Sequence, residues 1–376
     1  MMSGQSRTSL VLGIFLAATL IAFVILNRWL VTELGLLSYG RVWQLYISYL
    51  DFGFARRAFL GTILYESGFS SVFANEYHFA ITIHHIAIAI LAGLIFYYCI
   101  SRKISNLVFL SSVAFSPALI IHSGYNTGAL DVFVLIFATI NILFVRNLAI
   151  FSLIAAAGVL THELSIFTFP AQLLAILTRK GQEPNFNPFK VLIAPSLIFI
   201  CTVTAVAIFG KVDAPLETVE QIMQQKMPIA AGQHDLWSGY IEIASTIERN
   251  AMGASQKLVT VLQTKFIWLF IPLIYLFIVL ARLWTYSEGP IETAVISVAV
   301  LAPLLTALVA TDYHRWIVMS ANMGILLTLI LATRSSRSYS PWNIPLIAFC
   351  LLAPFGAAQV DLPFPMHQFF LERIIN

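Results

Sequence analysis

Apolar runs, most of them about 17 to 25 residues long, recur along the whole chain and leave it little choice of fold. A bilayer core offers backbone groups no water. A run of this length therefore satisfies its own N–H and C=O groups only as a helix. The runs fall near residues 9–31, 77–100, 105–122, 131–145, 147–161, 164–178, 191–210, 266–282, 291–310, 316–332 and 343–359. Composition agrees, with 59% hydrophobic and 10% charged residues, where a soluble domain has roughly 45–50% and 25%. The expected fold is an all-α polytopic membrane protein, a single integral-membrane domain over residues 1–376 with about eleven transmembrane helices. Soluble dinucleotide-binding folds, β-sandwiches and nucleic-acid-binding modules are excluded. A net charge of +3 is too small to imply a polyanionic partner. Cys99, Cys201 and Cys350 sit in apolar runs without metal-ligand spacing and read as packed small hydrophobes.

Orientation follows from the basic residues. The first run, Ser9 to Leu26 behind Arg7, is too long for the apolar core of a signal peptide and reads as a retained helix. With the N-terminus inside, the inner connections hold Arg7, Arg102, Lys103, Arg146, Arg179, Lys180, Lys190, Arg282, Arg334 and Arg337, against only Glu183 and Glu288. That bias satisfies the positive-inside rule, with Arg28 the dissenter. Two long connections, 32–76 and 211–265, then lie outside. In the first, Arg41 to Leu50 and Ala58 to Tyr65 read as interfacial helices around a charged hinge, Asp51 to Arg57. In the second, Leu216, Val219, Ile222 and Met223 share one helical face, as do Leu236, Tyr240, Ile243 and Ile247.

A charge near hydrocarbon costs about 2.5–3.5 kcal/mol on insertion scales, so it normally faces a cavity or a partner. Four outer elements carry such residues. In the hinge, Asp51 stands a few residues from Arg56 and Arg57, a spacing that suits either an interfacial ion pair or a phosphate clamp. In the turn His122 to Asp131, the carboxylate either caps the next helix or serves as a ligand. Thr161-His162-Glu163 is flanked by apolar helix on both sides and offers proton-transfer or hydroxyl-binding groups. The zinc-protease pattern H-E-x-x-H is not met there, because Phe167 follows Ile166. In Asp312-Tyr313-His314-Arg315-Trp316, the acid and the arginine are spaced for an i,i+3 ion pair, and the two aromatics suit the membrane interface. All four elements fall on the outer side under one topology, which favours a shared cavity there. His78, His84 and His85 read as interhelical hydrogen-bonding groups, with proton relay as the alternative.

This arrangement resembles the C-type integral-membrane glycosyltransferases, enzymes that take a sugar from a polyprenyl phosphate carrier at the outer face. The likeness lies in the inside N-terminus, the long first outer loop with interfacial helices and an acid at Asp51, and a second long loop after the seventh span. It covers the layout of about the first 280 residues. Many members carry paired acids in the first loop, whereas Asp51 is followed here by Phe52-Gly53. The stretch Asp-Phe-Gly-Phe-Ala-Arg-Arg-Ala-Phe-Leu-Gly is also similar to one in bacterial membrane proteins. The resemblance implies a bacterial inner-membrane enzyme facing outward, a polyprenyl-phosphate-linked sugar as donor, and a glycan, lipid or protein acceptor. It leaves a divalent metal open. Glycosyl transfer needs a base and cations for the departing phosphate. That assigns Asp51 as base, Arg56 and Arg57 or Arg315 as phosphate clamps, and Asp131, His162, Glu163, Asp312 and His314 as substrate ligands. The alternatives are a polymerase or ligase acting on lipid-linked oligosaccharide, a secondary transporter and a non-catalytic assembly subunit.

Overall fold

The computed structural model describes Gly13 and residues 42–104, 106–125, 128–181, 183, 186–233, 240, 243–244, 247–264, 266–308, 310, 312–333 and 340–352. The first apolar run, apart from Gly13, and the end of the last lie outside them. Every described element is helical. Four helices among the described residues are long and apolar enough to cross a bilayer: Glu76–Ser101, Pro188–Phe209, Pro290–Leu308 and Arg315–Ala332.

The helices used below are α1 (Ala58–Glu66), α2 (Glu76–Ser101), α3 (Leu107–Ala114), α4 (Asp131–Leu143), α5 (Leu148–Thr161), α6 (Ser165–Lys180), α7 (Pro188–Phe209), α8 (Leu216–Lys226), α9 (Ile247–Thr264), α10 (Phe266–Trp284), α11 (Pro290–Leu301), α12 (Tyr313–Ala332) and α13 (Asn343–Leu352). Asparagine starts several of them. Asn75, Asn106, Asn147 and Asn187 each accept a hydrogen bond from a backbone N–H in the following first turn. Two apolar runs are broken. In 105–122, Ser116 caps a new start at Pro117, and the chain continues as a π turn over Pro117–Ile121 and one helical turn over His122–Tyr125. In 291–310 the helix tightens to a 3-10 helix over Ala302–Leu308 around Pro303.

At the centre, α4, α6 and α12 pack on one another. The N-termini of α4 and α12 meet through Asp131 and Arg315. At the other end, Arg179 of α6 donates to the carbonyl of Asn141 in the last turn of α4, at 2.5 Å. The three helices are therefore parallel. Around them pack α2, α5, α10 and α11. Lipid tails are as apolar as leucine, so helices in a bilayer gain from close approach and buried polar contacts more than from apolarity. Gly324 illustrates this, because a Cβ there would lie 2.6 Å from the Val279 side chain of α10. Asn141 donates to Gln172, which donates to Thr168, joining α4 to α6 inside the core. Helix α7 turns Phe189, Ile193, Leu197 and Ile200 outward. Cys201 is exposed on the same helix, which corrects the reading of all three cysteines as packed.

The first long loop departs from its expected form. Within the expected helix Arg41 to Leu50, the described residues 42–50 form no continuous helix. Trp43–Leu45 is a 3-10 turn and Tyr49–Phe52 a single helical turn, while Val42, Trp43, Leu45, Tyr46 and Ile47 are buried. Ala58 to Tyr65 is helical, as α1. It lies directly under this segment, with Thr62 accepting from the Tyr49 N–H at 2.8 Å. The expected amphipathic helix at Leu216 to Met223 is α8, and its Val219 and Met223 are buried against the first loop. Of the second expected face, Leu236 lies outside the described residues. Ile243 is buried and closes the loop by accepting from the Val212 N–H.

Gly61 of α1 allows this packing, because a Cβ there would stand 2.0 Å from the Ile47 carbonyl oxygen. Gly61→Ala is expected to lower stability by about 1–3 kcal/mol, the cost of overpacking. Gly93→Ala, where nothing lies within 4 Å, serves as the control and should be neutral or slightly stabilising. Thermal midpoints of the purified variants in one detergent decide it; equal midpoints would remove the close contact from the account.

Candidate functional site

One end of the central bundle gathers charged residues from four connections. Glu163 sits in the tight turn His162 to Leu164 between α5 and α6. Arg57 Nε donates to its Oε2 at 3.0 Å, and Arg56 Nε lies 3.8 Å from Oε1. The hinge reaches this turn because α1 packs on α5 and because Arg56 donates its backbone N–H to the Gly210 carbonyl. Two residues of the hinge have left-handed backbone, Gly53 at φ 65° and Arg57 at φ 66°. For a non-glycine residue such a conformation costs of order 1 kcal/mol or more, and it accompanies the contact of Arg57 with Glu163.

His162 ends α5 in extended backbone conformation and is buried. Its Nδ1 accepts from the Leu164 N–H at 3.0 Å, so the neutral ring carries its proton on Nε2. Nδ1 also lies 3.4 Å from Glu163 Oε2, a contact that becomes an ion pair when the ring is protonated. Burial pushes the His162 pKa down to about 4; Arg57 adds to the effect, and Glu163 and Asp131 oppose it. Burial works to raise Glu163, but Arg57, His162 and Arg56 outweigh it and hold the carboxyl at about 2.

The second half of the cluster is an arginine fork. Arg315 donates from Nε and Nη2 to the two oxygens of Asp131, at 2.7 and 2.6 Å, and from Nη1 to Asp312 at 2.6 Å. Asp131 is the first residue of α4, where an acid complements the helix dipole, and both of its side-chain oxygens accept from Arg315. The i,i+3 pair of Asp312 and Arg315 forms as spaced. Tyr313 and Trp316 are buried, not interfacial as expected: Tyr313 donates to the Ala254 carbonyl of α9 at 2.6 Å, and the Trp316 ring lies 5.1 Å from the guanidinium of Arg315. The His314 side chain lies outside the described part of the structure. His84 is buried and its Nε2 lies 2.6 Å from the Ser123 carbonyl, an interhelical hydrogen bond.

Asp51 does not pair with the nearby arginines. Its cation is Lys226, from the last turn of α8, which reaches both Asp51 Oδ2 and, at 3.1 Å, Glu66 Oε1. The ammonium also meets the Tyr46 carbonyl at 3.4 Å and lies 4.1 Å from the Tyr65 ring centroid. Ser48 donates to Asp51 at 2.7 Å. Glu66 and Lys226 are absent from the residues that the sequence singled out. Lys226 had a signal: it follows Val219 by seven positions and Met223 by three, on the face of α8 that the periodicity marks as buried. Glu66 had none beyond ending an apolar stretch. Among the described residues no group of three or more His, Cys, Asp and Glu side chains converges as a metal site.

The shifts at His162 and Glu163 make stability depend on pH. A histidine held near 4 against about 6.5 unfolded contributes fully above pH 6.5 and loses that contribution as pH falls through 4. Glu163, held near 2, adds a second loss below its unfolded value of about 4.5. The thermal midpoint is expected to be flat just above pH 6.5 and to fall towards pH 4. In His162→Gln the decline between 6.5 and 4.5 should shrink; an unchanged profile would place the titration elsewhere. Comparison of the chain with known protein families, with curated proteins and with solved structures returns no match.

Proposed function

We propose that the chain is an integral-membrane glycosyltransferase of the C-type, which moves a sugar from a polyprenyl phosphate to an acceptor at the outer face of a bacterial inner membrane. In this reading the apolar runs make eleven spans, with the N-terminus inside as the lysine and arginine bias favours. The observation that carries it is the meeting of the two long loops at Asp51. A carboxylate from the first loop and an ammonium from the second lie together, half-enclosed by Tyr46, Tyr65 and Glu66, in the same hinge as two arginines. Glycosyl transfer requires that combination: a proton acceptor, cations for a phosphate, and a site sheltered from water.

The proposed step is a displacement at the anomeric carbon. The acceptor hydroxyl gives its proton to Asp51, its oxygen bonds to the sugar carbon, and the bond from that carbon to the phosphate oxygen breaks. The polyprenyl phosphate leaves with the electron pair. Lys226, Arg56 and Arg57 take up the negative charge that develops on it. Arg315 is the weaker candidate for that task, since Nε, Nη1 and Nη2 are all committed to Asp131 and Asp312. It and Asp131 are assigned as positioning residues. His162, Glu163 and Asp312 face the sugar or the acceptor.

A second reading, a non-catalytic subunit of an envelope assembly, has one observation in its favour. Arg56, Arg57 and Arg315 are matched in number by Glu163, Asp131 and Asp312, so the cluster is already neutral. Mass spectrometry of polyprenyl-linked sugars separates the two, using cells that lack the protein and are complemented at equal expression. Wild type is expected to clear a lipid-linked sugar that accumulates in the null. Asp51→Asn should do so at least about 100-fold more slowly, the loss expected for a general base. Clearance at the wild-type rate by Asp51→Asn would remove the base, and no accumulation in the null would favour the subunit.

A further inference from the structure

The central helices carry charge at both ends, and the two ends are not alike. Near Asp131 every arginine has an acidic neighbour. At the other end stand three arginines: Arg102 follows α2, Arg146 follows α4, and Arg179 lies in the last turn of α6. The C-terminus of α4 draws them together. Arg179 Nη2 donates to the Asn141 carbonyl at 2.5 Å. Phe144, just past the end of α4, meets Tyr98 edge-on with 5.7 Å between ring centroids. The Arg102 guanidinium stands 5.6 Å from the centroid of that same Tyr98 ring. Arg102 and Arg146 act electrostatically on Arg179, with the sign of like charges.

Among the described residues none of these three arginines makes an ion pair. The acid nearest in sequence, Glu183, is taken by Lys180 at 3.1 Å. Nε and Nη1 of Arg179 are buried and lack a hydrogen-bond acceptor. Helix C-termini favour nearby cations, which accounts for an arginine at the end of each helix. It does not account for two buried N–H donors left without an acceptor, nor for like charges gathered on one site. An oxyanion would answer both, and guanidinium groups fork onto pairs of phosphate oxygens.

We propose that the end of the bundle opposite Asp131 binds a phosphate anion through Arg102, Arg146 and Arg179. The phosphate belongs either to the headgroup of an anionic phospholipid or to a soluble phosphate compound. Tyr97, exposed beside Phe144 with ring centroids 5.9 Å apart, gives the site an aromatic edge of the kind found at bilayer interfaces. The site is independent of the glycosyl-transfer reading.

Native mass spectrometry of the full-length chain in detergent tests it, with phosphatidylglycerol, phosphatidylcholine and inorganic pyrophosphate as separate probes at fixed ionic strength. Wild type is expected to retain phosphatidylglycerol at least tenfold more tightly than phosphatidylcholine if the source is lipid, or to bind pyrophosphate if it is soluble. Arg146→Gln changes an exposed residue and should leave the fold intact. It is expected to weaken that binding about fivefold, the contribution of one basic residue at an anionic surface. Replacing all three by glutamine should abolish the preference. Equal retention of the two lipids together with no pyrophosphate binding would overturn the proposal. So would binding unchanged in Arg146→Gln and in the triple variant.

Discussion

Two charged side chains 184 positions apart, Asp131 and Arg315, set the alignment of the central helices. Each sits at the N-terminal end of a helix that packs deep in the bundle, and each would be costly there alone. A two-armed contact with matched oxygens and nitrogens fixes both distance and angle. That contact holds α4 and α12 level, and α6 follows through Gln172 and Arg179. Removing one member of such a pair typically costs about 3–5 kcal/mol, because the other charge stays buried. Replacing both by apolar residues can be nearly neutral, so the value of the pair lies in register more than in net stability. The register matters because it puts the turn His162 to Leu164 level with Asp131, and so brings Arg56 and Arg57 to the same depth.

The loops are organised by a different rule. Trp43, Leu45, Ile47, Val219 and Met223 form one apolar cluster, so the two long connections are one folded layer and not two tethers. Lys226 extends that layer with an ammonium whose stem runs along apolar surface while its head meets oxygen and an aromatic face. The layer is why Asp51 is held by a residue 175 positions away and not by Arg56, five positions away.

Much of the helical layout was legible in the amino-acid sequence, because apolar length alone forces helix in lipid. The break at Ser116 was less so. Pro117 was visible, but a proline inside an apolar run reads equally as a tolerated kink, and the deciding contact is a serine cap. The residue types of the site were legible for the same reason that they are rare: a charge beside hydrocarbon demands a partner. Their pairings were not. Asp131 looked like a helix cap because its own helix was the nearest candidate, and Asp51 looked like a partner of Arg56 because both stand in one hinge. Tyr313 and Trp316 looked interfacial because composition cannot tell an aromatic facing lipid from one under α9. For the two acids sequence distance stood in for spatial distance, and the long contacts won.

The hinge itself shows why that outcome is chemically useful. Had Asp51 folded back on Arg56 and Arg57, the hinge would hold one ion-paired centre instead of two. Positive-φ residues at 53 and 57 turn the chain between them. The acid goes to Lys226 and Glu66, and the guanidiniums go to Glu163. The hinge thus yields two centres, one built around a carboxylate and one around arginines, within a reach of about 20 Å along the chain. On the glycosyl-transfer reading that separation is the functional content of the first loop: the Asp51–Lys226 pair and the two arginines are separate anchor points that one substrate bridges.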